Sequence, residues 1–127
     1  MDVTYPSSNL AYRRSVLKEI GGFDEWFVTA EDIDLNLRAV LAGHPIAFRP
    51  NAIVYHRTCD SYFDFLRQAF WNGVGRKQLT LKHGTLWGAY RPFEMARRET
   101  TFWSLLRLFT ALLGYGAYKL FGSPPPT

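Results

Sequence analysis

A chain of 127 residues and 14.6 kDa has room for one compact domain and not two. Its 47% hydrophobic and 17% aromatic content excludes a disordered chain, and the single cysteine, Cys59, excludes an internal disulfide framework and an all-cysteine zinc site. The net charge of +4 is unevenly spread: residues 1–56 carry five basic and seven acidic side chains, residues 57–127 ten basic and four acidic, so a phosphate-bearing partner or an anionic membrane would meet the second half.

Met1-Asp2-Val3-Thr4 lacks the basic-then-apolar pattern of an export signal. Asn9-Leu10-Ala11-Tyr12 reads as a short strand, and Ser15 to Ile20 as a short helix stopped by Gly21-Gly22 in the left-handed region. A loop rich in large apolar residues, Phe23 to Ala30, leads to a helix over Glu31 to Ala42. Its expected inner face is Ile33, Leu37, Val40 and Leu41, and its end signal is Gly43. Thr29 stands where an N-cap belongs, with Asp32 three residues on as the acid of a capping box. Asp34 and Arg38 are spaced as an i, i+4 ion pair. Two extended runs, Ile46 to Arg49 and Ala52 to His56, are split by the turn pair Pro50-Asn51.

Beyond His56 the pattern becomes helical. Ser61 to about His83 is amphipathic, with an interruption or bend expected at Gly73 and Gly75 and with Arg67, Arg76 and Lys77 pointing outward. Gly73-Val-Gly75-Arg-Lys is no phosphate loop, because no Gly-Lys-Ser/Thr follows and no strand precedes it. Gly84 to Pro92 is punctuated by Gly and Pro, a last helix covers roughly Glu94 to Phe121, and the Ser123-Pro-Pro-Pro tail is expected to be disordered. Thr101 to Phe121 approaches the length that crosses a bilayer, but Arg107 and Lys119 interrupt it. Three arrangements stay open: packing on the domain, lying in a membrane interface, and spanning. Arg91, Arg97 and Arg98 ahead of the apolar run favour a cytoplasmic membrane face in either membrane arrangement.

Five pieces stand in order: Asn9-Leu-Ala-Tyr-Arg-Arg, Ile20-Gly-Gly-Phe-Asp-Glu, Ala30-Glu-Asp-Ile-Asp-Leu-Asn-Leu-Arg38, Gly43-His-Pro-Ile-Ala-Phe and Ala52-Ile-Val-Tyr-His56. The series resembles the second half of the catalytic domain of family 2 glycosyltransferases, closely over residues 9 to 57 and loosely over 61 to 83. The resemblance implies an α/β fold: the C-terminal part of a GT-A nucleotide-diphospho-sugar transferase, with short strands and helices, followed by a long-helix region. It divides the chain into residues 1–57 of the catalytic domain, a helical acceptor-side extension at 58–98, an apolar helix at 99–122 that is a candidate for membrane association, and the tail at 123–127.

By the same resemblance the chain takes part in inverting transfer of a sugar from a nucleoside-diphosphate donor to a hydroxyl acceptor, in cell-surface glycan or glycolipid synthesis. Asp32 maps onto the general base and Glu31 onto a supporting acid. The chemistry needs such a base, since a sugar hydroxyl attacks only as its proton is removed. Asn9, Arg38 and Arg76 are the candidate substrate contacts, and His56 the candidate ligand for a divalent metal, Mn²⁺ or Mg²⁺. No Asp-x-Asp metal pair precedes the matched region, so the other ligands and most of the nucleotide site would lie in an N-terminal half that these residues do not supply, and the chain alone is expected to be inactive. Met1 is then expected to be an internal start or to begin a truncated frame. Gln68-Ala-Phe-Trp71 lacks the arginine of the Gln-x-x-Arg-Trp element, so processive polymerisation is not expected. The alternative is a non-catalytic, basic, membrane-associated module. Nucleic-acid binding has no recognisable signature here.

Overall fold

The described part of the molecule is built from helices joined by extended runs. A computed structural model describes residues 3, 5–57, 61–84 and 101–125. In chain order its elements are a 3-10 turn at Ser7–Asn9, α1 (Arg14–Glu19), α2 (Glu31–Leu41), α3 (Tyr62–His83) and α4 (Phe102–Phe121). The expected Gly- and Pro-punctuated connection, the first turns of the last helix and Arg91, Arg97 and Arg98 lie outside the described residues.

No β-strand occurs among the described residues, which overturns the expectation of an α/β, GT-A half-domain. A strand exists only where a neighbour exchanges backbone N–H and C=O groups with it, and the expected strands find no such neighbour. Residues 7–9 close a 3-10 turn instead, and the 44–57 run folds on itself, with the Ala52 N–H donating to Arg49 O at 3.0 Å across Pro50-Asn51. A side chain, not a ladder, ties that run to the N-terminal segment: Asn9 Nδ2 donates to Ala52 O at 2.9 Å. The apolar side chains of the run, Phe48, Ile53 and Tyr55, are accordingly exposed.

Local end signals are obeyed. Gly21 and Gly43 adopt φ of 81° and 89°, and each lets the following residue reach back five residues: Gly22 N–H to Leu17 O and His44 N–H to Ala39 O. That is the Schellman closure, which needs a residue free of the Cβ penalty at this position.

The face of α2 differs from expectation. Leu35 and Ala39 are buried together with Asp34 and Asn36, whereas Ile33, Leu37 and Val40 are half-buried and Leu41 is exposed. The polar pair is taken inside because each side chain is fully partnered there, which removes the cost of burying it. Asn36 Nδ2 donates to Val3 O at 2.9 Å and Tyr5 O at 3.0 Å, while its Oδ1 accepts the Tyr12 hydroxyl.

Helix α3 is unbroken across its 22 residues, so Gly73 and Gly75 do not interrupt it. They let other backbone come close. A Cβ on Gly73 would stand 1.8 Å from Ala111 O of α4, and one on Gly114 of α4 2.0 Å from Phe70 O. A Cβ on Gly75 would meet Thr29 O at 2.6 Å, on the loop before α2. The two long helices run in the same direction, with Tyr62 stacked on Trp103 at one end and Gln78 bonded to Tyr118 at the other. Lys77 does not point outward; its ammonium lies 5.2 Å from the centroid of the Tyr115 ring.

Candidate functional site

The chain reaches α2 through a residue in an unusual conformation. Ala30, the N-cap, has φ 65° and ψ 20°, and it is the one non-glycine with positive φ among the described residues. No side chain caps α2, so the expected Thr29–Asp32 capping box does not form. The loop that imposes this entry is held by Gln78 of α3. Its Oε1 accepts Val28 N–H at 3.1 Å, and its Nε2 donates to Trp26 O at 2.7 Å and to the Tyr118 hydroxyl at 3.3 Å. Gln78 is fully buried, so three satisfied bonds fix both the loop and its distance from α3. The Trp26 indole N–H on the same loop is a buried donor with no partner among the described residues.

Asp32 is the second residue of α2 and half-buried. Its Oδ2 accepts the Ser7 N–H at 2.9 Å from 25 residues earlier, and its Oδ1 accepts Ile33 N–H at 2.8 Å. An ionised carboxylate has about four acceptor positions, so two remain for a hydroxyl. Glu31 precedes it as the first residue of the helix, half-buried. The Ser7 bond also fixes the segment carrying Asn9, whose Nδ2 donates to Ala52 O. Beside this segment opens a cleft of about 1000 Å³ lined by Asn9, Tyr12, Asn36, His44, Phe48 and Arg49 among others. The Tyr12 pKa is raised above the phenol value by burial and then by the Asp32 charge, with Arg38 opposing. Tyr12 therefore stays a neutral donor to Asn36 at the cleft.

Arg38 has all three guanidinium nitrogens engaged within the protein. Nε meets Asp34 Oδ2 at 2.8 Å in the expected i, i+4 pair, and the other two donate to Ile20 O and Gly22 O. These bonds tie the Gly-Gly turn after α1 to α2. Asp34 itself, fully buried, also receives Lys82 Nζ at 2.8 Å and His83 Nε2 at 2.6 Å from the C-terminal end of α3. Lys82 is shared with Asp24 at 2.6 Å. Burial alone would raise the Asp34 pKa; the bonds from Lys82, His83 and Arg38 outweigh it and hold the carboxyl below the ordinary carboxylate value. Asp24 is lowered too, first by its bond from Lys82 and then by that from Trp26 N–H.

The structure thus gathers Asp32, Glu31 and Arg38 on one helix, with Asn9 on the segment that bonds Asp32. Arg76 lies on α3, half-buried, next to the Gly75 contact with Thr29. His56 lies apart on the exposed 52–57 run. Among the described residues no three His, Cys, Asp or Glu side chains converge to hold a metal ion. His56 would supply a single imidazole nitrogen, and the remaining ligands of such a site would come from outside the described residues. The residues that sequence reasoning passed over are Ser7, Asn36, Gln78, Lys82 and His83. For Asn36 the one available signal is a polar side chain between two leucines, whereas Gln78 follows Arg76-Lys77 and gives none.

Residues 1–123 match the family described as glycosyl transferase family group 2. A pre-mycofactocin glycosyltransferase of Mycobacterium tuberculosis is 36% identical over 69 residues, 54% of this chain and 15% of that protein. The O-antigen chain rhamnosyltransferase RfbN of Salmonella typhimurium is 40% identical over 50 residues, 39% of this chain and 16% of the relative. The succinoglycan biosynthesis protein ExoA of Rhizobium meliloti is 27% identical over 126 residues, 90% of this chain and 38% of the relative. The chain therefore spans well under half the length of these relatives. No solved structure matches it.

Proposed function

Because the chain belongs to glycosyl transferase family group 2, we propose that it supplies the acceptor-activating part of an inverting sugar transfer from a nucleoside-diphosphate sugar to a hydroxyl. The observation that carries this reading is Asp32 at the start of α2. Its carboxylate is oriented by backbone donors from two separate parts of the chain, and it keeps acceptor capacity for one more proton. In the proposed step the acceptor O–H proton passes to Asp32 as the acceptor oxygen bonds to the anomeric carbon. The bond from that carbon to the phosphate oxygen breaks, and the diphosphate leaves with the bonding pair. One displacement from the face opposite the leaving group inverts the centre. Glu31, adjacent in the same turn, is proposed to steer the acceptor hydroxyl. Synthesis of a surface glycan on the cytoplasmic side of a membrane is part of the same proposal; the glycan is supported by likeness to an O-antigen chain rhamnosyltransferase and a succinoglycan biosynthesis protein.

The test is Asp32→Asn in a protein carrying these residues within the full length of its relatives, assayed for transfer from a panel of nucleoside-diphosphate sugars. The amide keeps the shape but cannot take the proton, and with one acceptor oxygen it retains one of the two backbone bonds, so melting is measured beside turnover. A loss of roughly 10²–10⁴-fold in turnover is expected, the usual contribution of a positioned base. Turnover within a few-fold of the parent, with an unchanged melting temperature, rejects Asp32 as the base.

A further inference from the structure

Helix α4 is turned inside out relative to a helix on a water-soluble surface. Such a helix normally buries its apolar stripe and shows its polar face. Here the side packed on α3 carries Gly114, Tyr115 and Tyr118, and the polar residues Ser104, Arg107, Thr110 and Lys119 fall on that same half of the circumference. The other half holds no polar side chain along the helix. Its Phe102, Leu105, Phe109, Leu112, Leu113 and Leu120 are between 52% and 73% exposed. Twenty residues at a rise of about 1.5 Å make this stripe roughly 30 Å long. Isolated exposed leucines are ordinary, but a continuous apolar face of this length marks a contact.

We infer that the outer face of α4 lies flat in the headgroup–acyl boundary of an anionic membrane. Two observations choose this occupant. No helix among the described residues is long and apolar enough to cross a membrane, so the stripe has to be covered by lying along a surface. Charge decides which surface. Helix α4 contains no acid, and its two cations, Arg107 and Lys119, are exposed. A second copy of α4 would offer them no acid, whereas anionic headgroups bring opposite charge. Lys119 borders the stripe near its end, where its stem can lie on the apolar face with the ammonium among the phosphates. The inference does not rest on the role given to Asp32.

The 127-residue chain is incubated with sucrose-loaded vesicles of phosphatidylcholine mixed with phosphatidylglycerol and sedimented. Binding is expected, with about tenfold or greater loss for Phe109→Ser combined with Leu113→Ser, because the transfer of two large side chains is removed. Leu41→Ser alters an equally exposed leucine off the stripe and should leave partitioning unchanged. Circular dichroism checks that each variant keeps its helix content. As a readout that leaves α4 nearly intact, a nitroxide on Leu112→Cys in a Cys59→Ser background should gain oxygen accessibility relative to a nickel chelate when vesicles are added. Failure of the parent to sediment, equal loss for Leu41→Ser, or no gain at the nitroxide overturns the inference. So does a dimer in sedimentation equilibrium that the double variant dissolves, since the stripe would then belong to a second copy.

Discussion

Two regions of this molecule are held together by opposite means. Around α2 the interior is a polar lattice in which three fully buried side chains, Asp34, Asn36 and Gln78, each serve several partners. Those partners come from the N-terminal segment, the 20–28 loop and the end of α3. Between α3 and α4 the seam is backbone on backbone, opened by Gly73 and Gly114, and no ion pair joins the two helices among the described residues. A hydrogen-bond lattice fixes direction, because each donor has one acceptor to find. A glycine seam fixes distance and leaves the outer faces free of structural duty. The first suits a region that would aim the Asp32 carboxylate in the proposed step, the second a helix whose other side is left for another contact.

The difference is broken most severely at Asp34. Asp34→Ala leaves Arg38, Lys82 and His83 gathered around an empty centre. Removing one partner of a buried ionic cluster costs about 3–5 kcal/mol, and the low end applies because Arg38 and Lys82 keep some access to water. Urea unfolding should report this, with the 20–22 turn and the end of α3 losing amide protection first. The same cluster sets a pH response. Asp34 and Asp24 both have folded pKa values below 3.8. Their stabilisation is therefore fully present above the unfolded value and is lost as pH falls from about 4 through the folded values. An acid titration of stability that stays level below pH 4 would contradict the arrangement.

At the seam the expected loss is somewhat smaller and of another character. Gly73→Ala puts a methyl 1.8 Å from a backbone oxygen, so the helices must separate. Overpacking of this kind costs about 1–3 kcal/mol and more when backbone has to move. The loss should be the same at pH 7 and at pH 4, because among the described residues no carboxyl or imidazole is seen in the contact. Adding Gly114→Ala should cost less than a second full penalty once the helices have parted. Full additivity, or a pH-dependent loss, would mean that the seam is not a single close approach.

How much of this was legible follows the range of the signals. Gly21-Gly22, Gly43 and Pro50-Asn51 are local instructions, and the helix ends and the turn stand where they say. The Asp34–Arg38 pair is equally local. Gly73 and Gly75 were misread as breaks because the absence of a Cβ looks the same in sequence whether it serves a bend or a neighbour 38 residues away. The strands failed for a related reason: alternation shows that a segment can pair, not that a partner lies beside it. The order of five motifs singles out Asp32 as a candidate, but nothing singles out Ser7, which bonds it, since a backbone N–H has no side-chain signature. Lys82 and His83 gave no sign of Asp34, because 49 residues separate His83 from it and the contact is made by tertiary packing.

The smallest expected effect sharpens the comparison furthest, because it asks whether the lattice forces a local conformation. Ala30 sits in the left-handed region immediately before Glu31 and Asp32. For an L-residue that conformation costs about 1–2 kcal/mol. Here it is imposed by the Gln78 bonds to the loop and by the contact of Thr29 with Gly75. Ala30→Gly removes the strain but enlarges the unfolded ensemble, a loss of about 0.4–1 kcal/mol. The difference leaves a gain of about 0–1.6 kcal/mol in unfolding free energy, read as a rise in the urea midpoint. Ala30→Val goes the other way, since a β-branched residue tolerates positive φ poorly. A Gly variant less stable than the parent, or a Val variant equal to it, would show that residue 30 is not left-handed in solution. The direction in which α2 presents Asp32 would then be set by something other than the Gln78 lattice.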